Sequence, residues 1–147
     1  MDKWAAVPLT AAAGSLVALQ APINSHLGKN IGTFAAATVS FAIGTMLLFG
    51  IAITIGGGFG DVGEIRHLNW YWLTGGALGA IYVTTVLVTV RELGAGGVTA
   101  ATIAGQLTMS VAADRAGILG LPEKAITAPR VIGVLLLAAG VFLIVRD

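Results

Sequence analysis

The chain has 147 residues, of which 56% are hydrophobic and only 10% charged, and its formal net charge is +1. Soluble domains carry about 25% charged residues, so this composition selects lipid as the solvent, and the near-neutral balance gives no electrostatic case for nucleic acid. Cysteine is absent, which removes disulfides, thiolate chemistry and Cys-ligated zinc.

Five apolar segments follow in order, at about 4–23, 31–55, 70–90, 95–113 and 128–145. Each can cross a hydrocarbon core of ~30 Å at 1.5 Å per helical residue. The last is short unless Pro129 and Arg130 stand at its entrance. The expected fold is an all-α integral membrane protein, a single domain bundling five transmembrane helices. Met1-Asp2-Lys3 before the first segment imitates a secretory signal. The run that follows exceeds the usual h-region and lacks a clean small-x-small cleavage site, so a retained first helix is expected.

The first segment closes on Gln20-Ala-Pro22-Ile-Asn24. Gln20 and Asn24 stand one turn apart on one face, and Pro22 between them removes a backbone donor. Loosened backbone at membrane depth needs protein or a water-filled cavity around it. Either this is a helix end at the interface, with His26 and Lys29 already in water, or Gln20 and Asn24 belong to a solute site.

In the second segment Ala36, Ser40 and Gly44 make a ladder of small residues, the spacing that lets membrane helices approach closely. Gly75 and Gly79 repeat the pattern in the third segment, and Gly133 and Gly140 lie seven apart in the fifth. Gly28 and Gly32 are assigned to a turn. Residues 56–69 form the longest connection, with Asp61, Glu64 and Arg66 in solvent. Trp70, Tyr71 and Trp72 then sit where an interfacial aromatic anchor belongs. Tyr82 either packs in the core or lines a cavity. Arg91 and Glu92 are expected as a loop pair.

The fourth segment carries the strongest pattern. Thr102, Gln106, Ser110 and Asp114 recur every four residues as one polar stripe, with Ala100, Ala104, Thr108, Ala112 and Ala116 roughly opposite. An amide at mid-depth needs hydrogen-bonding partners, so Gln106 either glues helices together or faces a cavity. Asp114 lies near the segment's end beside Arg115. It is either solvated or locally paired, or it couples a proton, the default question for an intramembrane carboxylate. No Ser/His/Asp nucleophile arrangement, metal-spaced His pair or phosphate loop is present, and the glycines at 56–60 lack a strand–helix context. No enzyme, cofactor or metal is expected.

An odd number of spans puts the termini on opposite sides. Lys3, Arg66, Arg115, Lys124 and Arg130 then share one side, against Lys29, Arg91 and Arg146 on the other. Five against three slightly favours a cytoplasmic N-terminus, and a balance this close also suits insertion in both orientations.

At Gln20-Ala-Pro-Ile-Asn24-Ser-His-Leu27, Ser40-Phe-Ala-Ile-Gly44-Thr45, Gly75-Gly-Ala-Leu-Gly79-Ala80, Leu93-Gly94-Ala95, Gly105-Gln106, Asp114 with Gly117, and the Gly133/Gly140 segment, the chain resembles the YdcZ family of short members of the drug/metabolite transporter (DMT) superfamily. The resemblance covers essentially the whole chain. It implies one half of a ten-helix transporter, in which two inverted five-helix halves enclose a central cavity. The chain would then pair antiparallel with a copy of itself, or with a related five-helix subunit, in the inner (cytoplasmic) membrane. The expected activity is secondary transport of a small metabolite or amine-like solute by alternating access. Gln106, Gln20, Asn24, Ser110 and Tyr82 are the expected solute contacts, and Asp114 the candidate proton site. The alternatives are an assembly or accessory subunit without flux of its own, and a small dual-topology channel.

Overall fold

The structure, a computed structural model, describes residues 2–146. The side chain of Lys3, one of the basic residues counted above, lies outside the described residues. Four α-helices follow one another: α1 (Lys3–Ile31), α2 (Thr33–Thr54), α3 (Gly75–Ala116) and α4 (Ala128–Arg146). Short 3-10 helices at Gly60–His67, Trp70–Leu73 and Ile118–Gly120 fill the connections. The fold is all-α, with no strand among the described residues. Helical stretches at Trp4–Ile31, Thr33–Thr54, Trp70–Ala116 and Ala128–Arg146 are long and apolar enough to cross a membrane, by length and composition.

Two boundaries differ from the sequence reading. α1 does not end at Pro22 but continues to Ile31. The ring removes one N–H donor and crowds the carbonyl one turn back, but in an apolar sequence any further loss of helical bonds is costlier in lipid. The connection expected around 91–94 is not a loop. α3 runs 42 residues, ~63 Å at helical rise, about twice a hydrocarbon core. It is interrupted at one residue, Gly94, with φ 67 and ψ 170, a backbone region that essentially only glycine enters. The arms on either side, 75–93 and 95–116, are each ~30 Å long. Arg91 and Glu92 are therefore helical.

The chain divides into two compact units, residues 19–91 and residues 2–18 with 92–146. In the first, α1 buries Ala21, Asn24, Ser25 and Gly28, and the first arm of α3 buries Val83, Val86, Leu87 and Val90. Both sets follow the i, i+3, i+4, i+7 spacing of a single helix face. α2 presents Ala36 and Ala37, which form one core cluster with Val83 and Leu87, with Leu27 and Tyr82 packed against it. Small side chains on α1 and α2 let the backbones close up, and the larger Val and Leu of α3 fill the space. Gly32 alone joins α1 to α2. Arg91 reaches that corner, its Nη2 donating to Thr33 Oγ1 at 3.4 Å. A methyl at Gly28 would lie 3.2 Å from the same guanidinium nitrogen. Gly28 is thus a contact position inside α1 rather than part of the turn.

In the second unit, the 95–116 arm and α4 run antiparallel. Methyls built at Gly96 and Gly97 would meet Ile144 and Val145 at 4.0 and 3.5 Å. At the far end of the pair, Asp114 meets Arg130. Gly117 at φ 58 closes the arm, and residues 121–127 carry no regular secondary structure.

Candidate functional site

Within residues 19–91, Asn24 is buried on α1 and its Nδ2 donates to Ser40 Oγ on α2 at 3.1 Å. The small-residue ladder of α2 therefore carries a polar rung whose partner comes from the neighbouring helix. Gln20, one turn earlier, is exposed, and Tyr82 is half-buried against the core cluster. The bond between Asn24 and Ser40 was not legible, because each residue had a separate local explanation and nothing in the chain specified their register.

Within the second unit, the stripe on the 95–116 arm is graded. Thr102 and Asp114 are half-buried, while Gln106 and Ser110 are exposed. Gln106 has no side-chain hydrogen-bond partner among the described residues, and it stands near the middle of an apolar arm. On the opposite ladder Thr108 returns its hydroxyl proton to Ala104 O at 2.8 Å, which satisfies it within its own helix. The glutamine amide has no such local outlet. An open, apolar groove of about 530 Å³ between the arm and α4, lined by Leu93, Ala101, Ala138, Val141, Phe142, Val145 and Arg146, includes none of the expected site residues.

Asp114 is gathered into a cluster of charges at the end of the arm. Its Oδ2 lies 3.3 Å from Arg130 Nη1 at the start of α4 and 3.9 Å from Lys124 Nζ. The Arg130 contact is ionic without hydrogen-bond alignment, since Nη1 has no hydrogen-bond partner. The main chain reinforces the cluster: Lys124 N–H donates to Asp114 C=O at 2.8 Å, and Arg115 pairs with Glu123. Sequence reading placed Arg115 beside Asp114 but missed Arg130, because their proximity depends on the fold of the 117–127 connection. No group of His, Asp and Glu capable of holding a metal ion occurs among the described residues. The six expected site residues thus fall into two sets, Gln20, Asn24 and Tyr82 in one unit and Gln106, Ser110 and Asp114 in the other.

Apolar helices of spanning length and polar groups confined to their faces define a multi-pass integral membrane protein. The family described as "Putative inner membrane exporter, YdcZ" matches residues 5–143, and the chain belongs to that family. It is accordingly an inner-membrane protein of a transporter family. No curated protein and no solved structure matches it.

Proposed function

We propose that the chain is one half of a secondary transporter that moves a small metabolite or amine-like solute out of the cell by alternating access. It works paired antiparallel with a second copy. The observation that carries this reading is Gln106, an amide left exposed and unpartnered near the middle of a membrane-spanning arm. A polar group at that depth draws it toward a hydrogen-bonding neighbour or a wet cavity. No hydrogen-bonding neighbour meets the Gln106 side chain among the described residues. Ser110, one turn further along the same face, extends the polar surface toward one end of the arm. Gln20 supplies a second exposed amide on α1. Asn24 and Tyr82 are the further expected solute contacts, on the bonded and packed face of residues 19–91. Carriers of inverted-repeat design hold their solutes near the bilayer midplane, the depth at which Gln106 stands in its arm.

The test is flux. Purified protein in liposomes with an imposed pH gradient is expected to move a small amine or metabolite, and Gln106→Ala is expected to abolish saturable uptake. If Gln106→Ala and Gln20→Ala both left uptake intact, the site would lie elsewhere.

A further inference from the structure

The connection between α2 and α3 reads as a solvated loop, yet its apolar residues keep a strict order. Phe59, Val62, Ile65 and Leu68 recur at every third position. Three-residue steps drift around an α-helix, but in a 3-10 helix side chains at i and i+3 eclipse. Gly60–His67 is a 3-10 helix of 8 residues, capped by Phe59 and Leu68, well beyond the three or four residues usual for that geometry. The four apolar residues therefore share one edge, and all four are exposed. Asp61, Glu64 and His67 share a second edge, and Gly60, Gly63 and Arg66 the third.

The position of this helix says what lies against that edge. α2 has 22 residues, ~33 Å of helix, so Thr54 stands at a membrane surface. The chain then reverses through Gly57 at φ 77 and Gly58 at φ 92, both in the left-handed half of backbone space that favours glycine. Gly58 N–H donates back to Ala52 C=O at 2.8 Å. The reversal brings the Phe59 ring to 5.1 Å from that of Phe49, about 7.5 Å back along α2 from its end. Phe59 therefore turns back onto the apolar end of α2 instead of leaving for water. At its other end Trp70, Tyr71 and Trp72 stack edge and tilt against one another before α3 begins. One end is thus held by the Phe49–Phe59 contact, and the other by Trp and Tyr, which favour the membrane interface.

We propose that residues 59–68 form an amphipathic 3-10 helix lying in the plane of the membrane surface, with the lipid bilayer itself as its partner. Phe59, Val62, Ile65 and Leu68 enter the boundary between headgroups and acyl chains, and Asp61, Glu64 and His67 face water. Arg66 is the one Lys or Arg in the stretch. Attraction therefore comes from apolar burial and not from anionic headgroups. The proposal is independent of the solute pathway.

The chain has no native cysteine, so single cysteines carrying nitroxide labels can be placed one at a time through 59–68 of the full chain. The protein is held in nanodiscs of phosphatidylcholine, with and without phosphatidylglycerol. Collision of each label with oxygen, which concentrates in lipid, is compared with collision with a water-soluble nickel chelate. Oxygen collisions are expected to dominate at 59, 62, 65 and 68, and nickel collisions at 61, 64 and 67, with the same pattern in both lipids. With the label at 68, Ile65→Asp is expected to shift it toward nickel, and Glu64→Gln to leave it unchanged. Uniformly high nickel collision would return the segment to water and overturn the proposal. Exclusion of both reagents at 62 and 65 would also overturn it, by showing that protein covers the edge. A pattern present only with phosphatidylglycerol would assign the attraction to charge instead.

Discussion

Asn24 Nδ2 and Ser40 Oγ stand 3.1 Å apart across the α1–α2 contact, with Asn24 almost wholly buried. Hydrogen bonds between membrane helices are worth about 0.6 kcal/mol on average and ~1.7 at most. Asn24→Ala and Ser40→Ala are each expected to lower stability in detergent by about that range. The double variant should cost less than the sum, as for any directly coupled pair. Strict additivity in reversible unfolding would mean that the two side chains act separately. Asp114 poses a different question, because its charge has Arg130 and Lys124 beside it. Partly exposed ion pairs contribute about 0–1 kcal/mol, so a clasp predicts similar small stability losses for Asp114→Asn and Arg130→Gln. Proton coupling predicts something the clasp does not. Asp114→Asn would make uptake indifferent to the pH gradient while solute exchange continued, and Arg130→Gln would leave the gradient dependence in place. Loss of exchange and gradient dependence together, in both variants, would assign Asp114 to structure.

Among the elements, the long third helix shows how one residue sets a boundary. A methyl at Gly94 would meet no atom within 4 Å, so space is not what keeps glycine there. Its φ of 67 with ψ 170 does, and a side chain in that region costs about 1–3 kcal/mol. Gly94→Ala is expected to destabilise by about that amount. Gly28→Ala is expected to be nearly neutral. Alanine there gains about 0.5–1 kcal/mol of helix preference, and the atom in its way at 3.2 Å is the mobile end of Arg91. Equal costs in a thermal-unfolding comparison would contradict this account. Much of the fold could be read from the chain at this scale. The apolar segments marked the helices, and of the Ala36/Ser40/Gly44 ladder the first two lie on an interface, Ala36 in the core cluster and Ser40 bonded to Asn24, whereas a methyl at Gly44 would meet nothing within 4 Å. What escaped were the joints. Pro22 looked like a terminus because its missing donor is a local fact, whereas helix persistence depends on the solvent around it. Arg91 looked like loop because charge signals water, but it satisfies itself on Thr33 without leaving the helix. The 59–68 repeat escaped because its period is three, between the strand and α-helix periods. Of the candidate site, the sequence identified polar residues on helix faces, and it could not supply partners that come from distant parts of the chain.

For the whole molecule, large apolar side chains such as Leu47, Leu48, Leu135, Leu136 and Phe142 are exposed along α2 and α4, as lipid-facing surfaces require. The eight basic residues give orientation little direction. An antiparallel pair needs both orientations in one membrane. Single cysteines placed near either end of the chain are therefore expected to react with an impermeant maleimide in about half of the copies in intact cells. Labelling of one end in all copies would require the inverted half to come from a different chain. Adding two lysines beside Lys124 is expected to collapse a mixed population to one orientation, and to stop flux unless the opposite form is supplied alongside it.

The single-residue corner between α1 and α2 has a practical consequence for anyone wishing to tag this protein. Gly32 has no slack on either side, and Thr33 immediately after it receives the Arg91 guanidinium. A reporter inserted there would prise apart three helices at once. Residues 125 and 126, exposed and outside any helix between Lys124 and the Thr127 carbonyl that opens α4, tie down no other segment among the described residues. An epitope or small fluorescent domain spliced between Ala125 and Ile126 is expected to be accepted, as exposed loop sites generally are. The same insert at position 32 is expected to leave no folded protein in the membrane fraction.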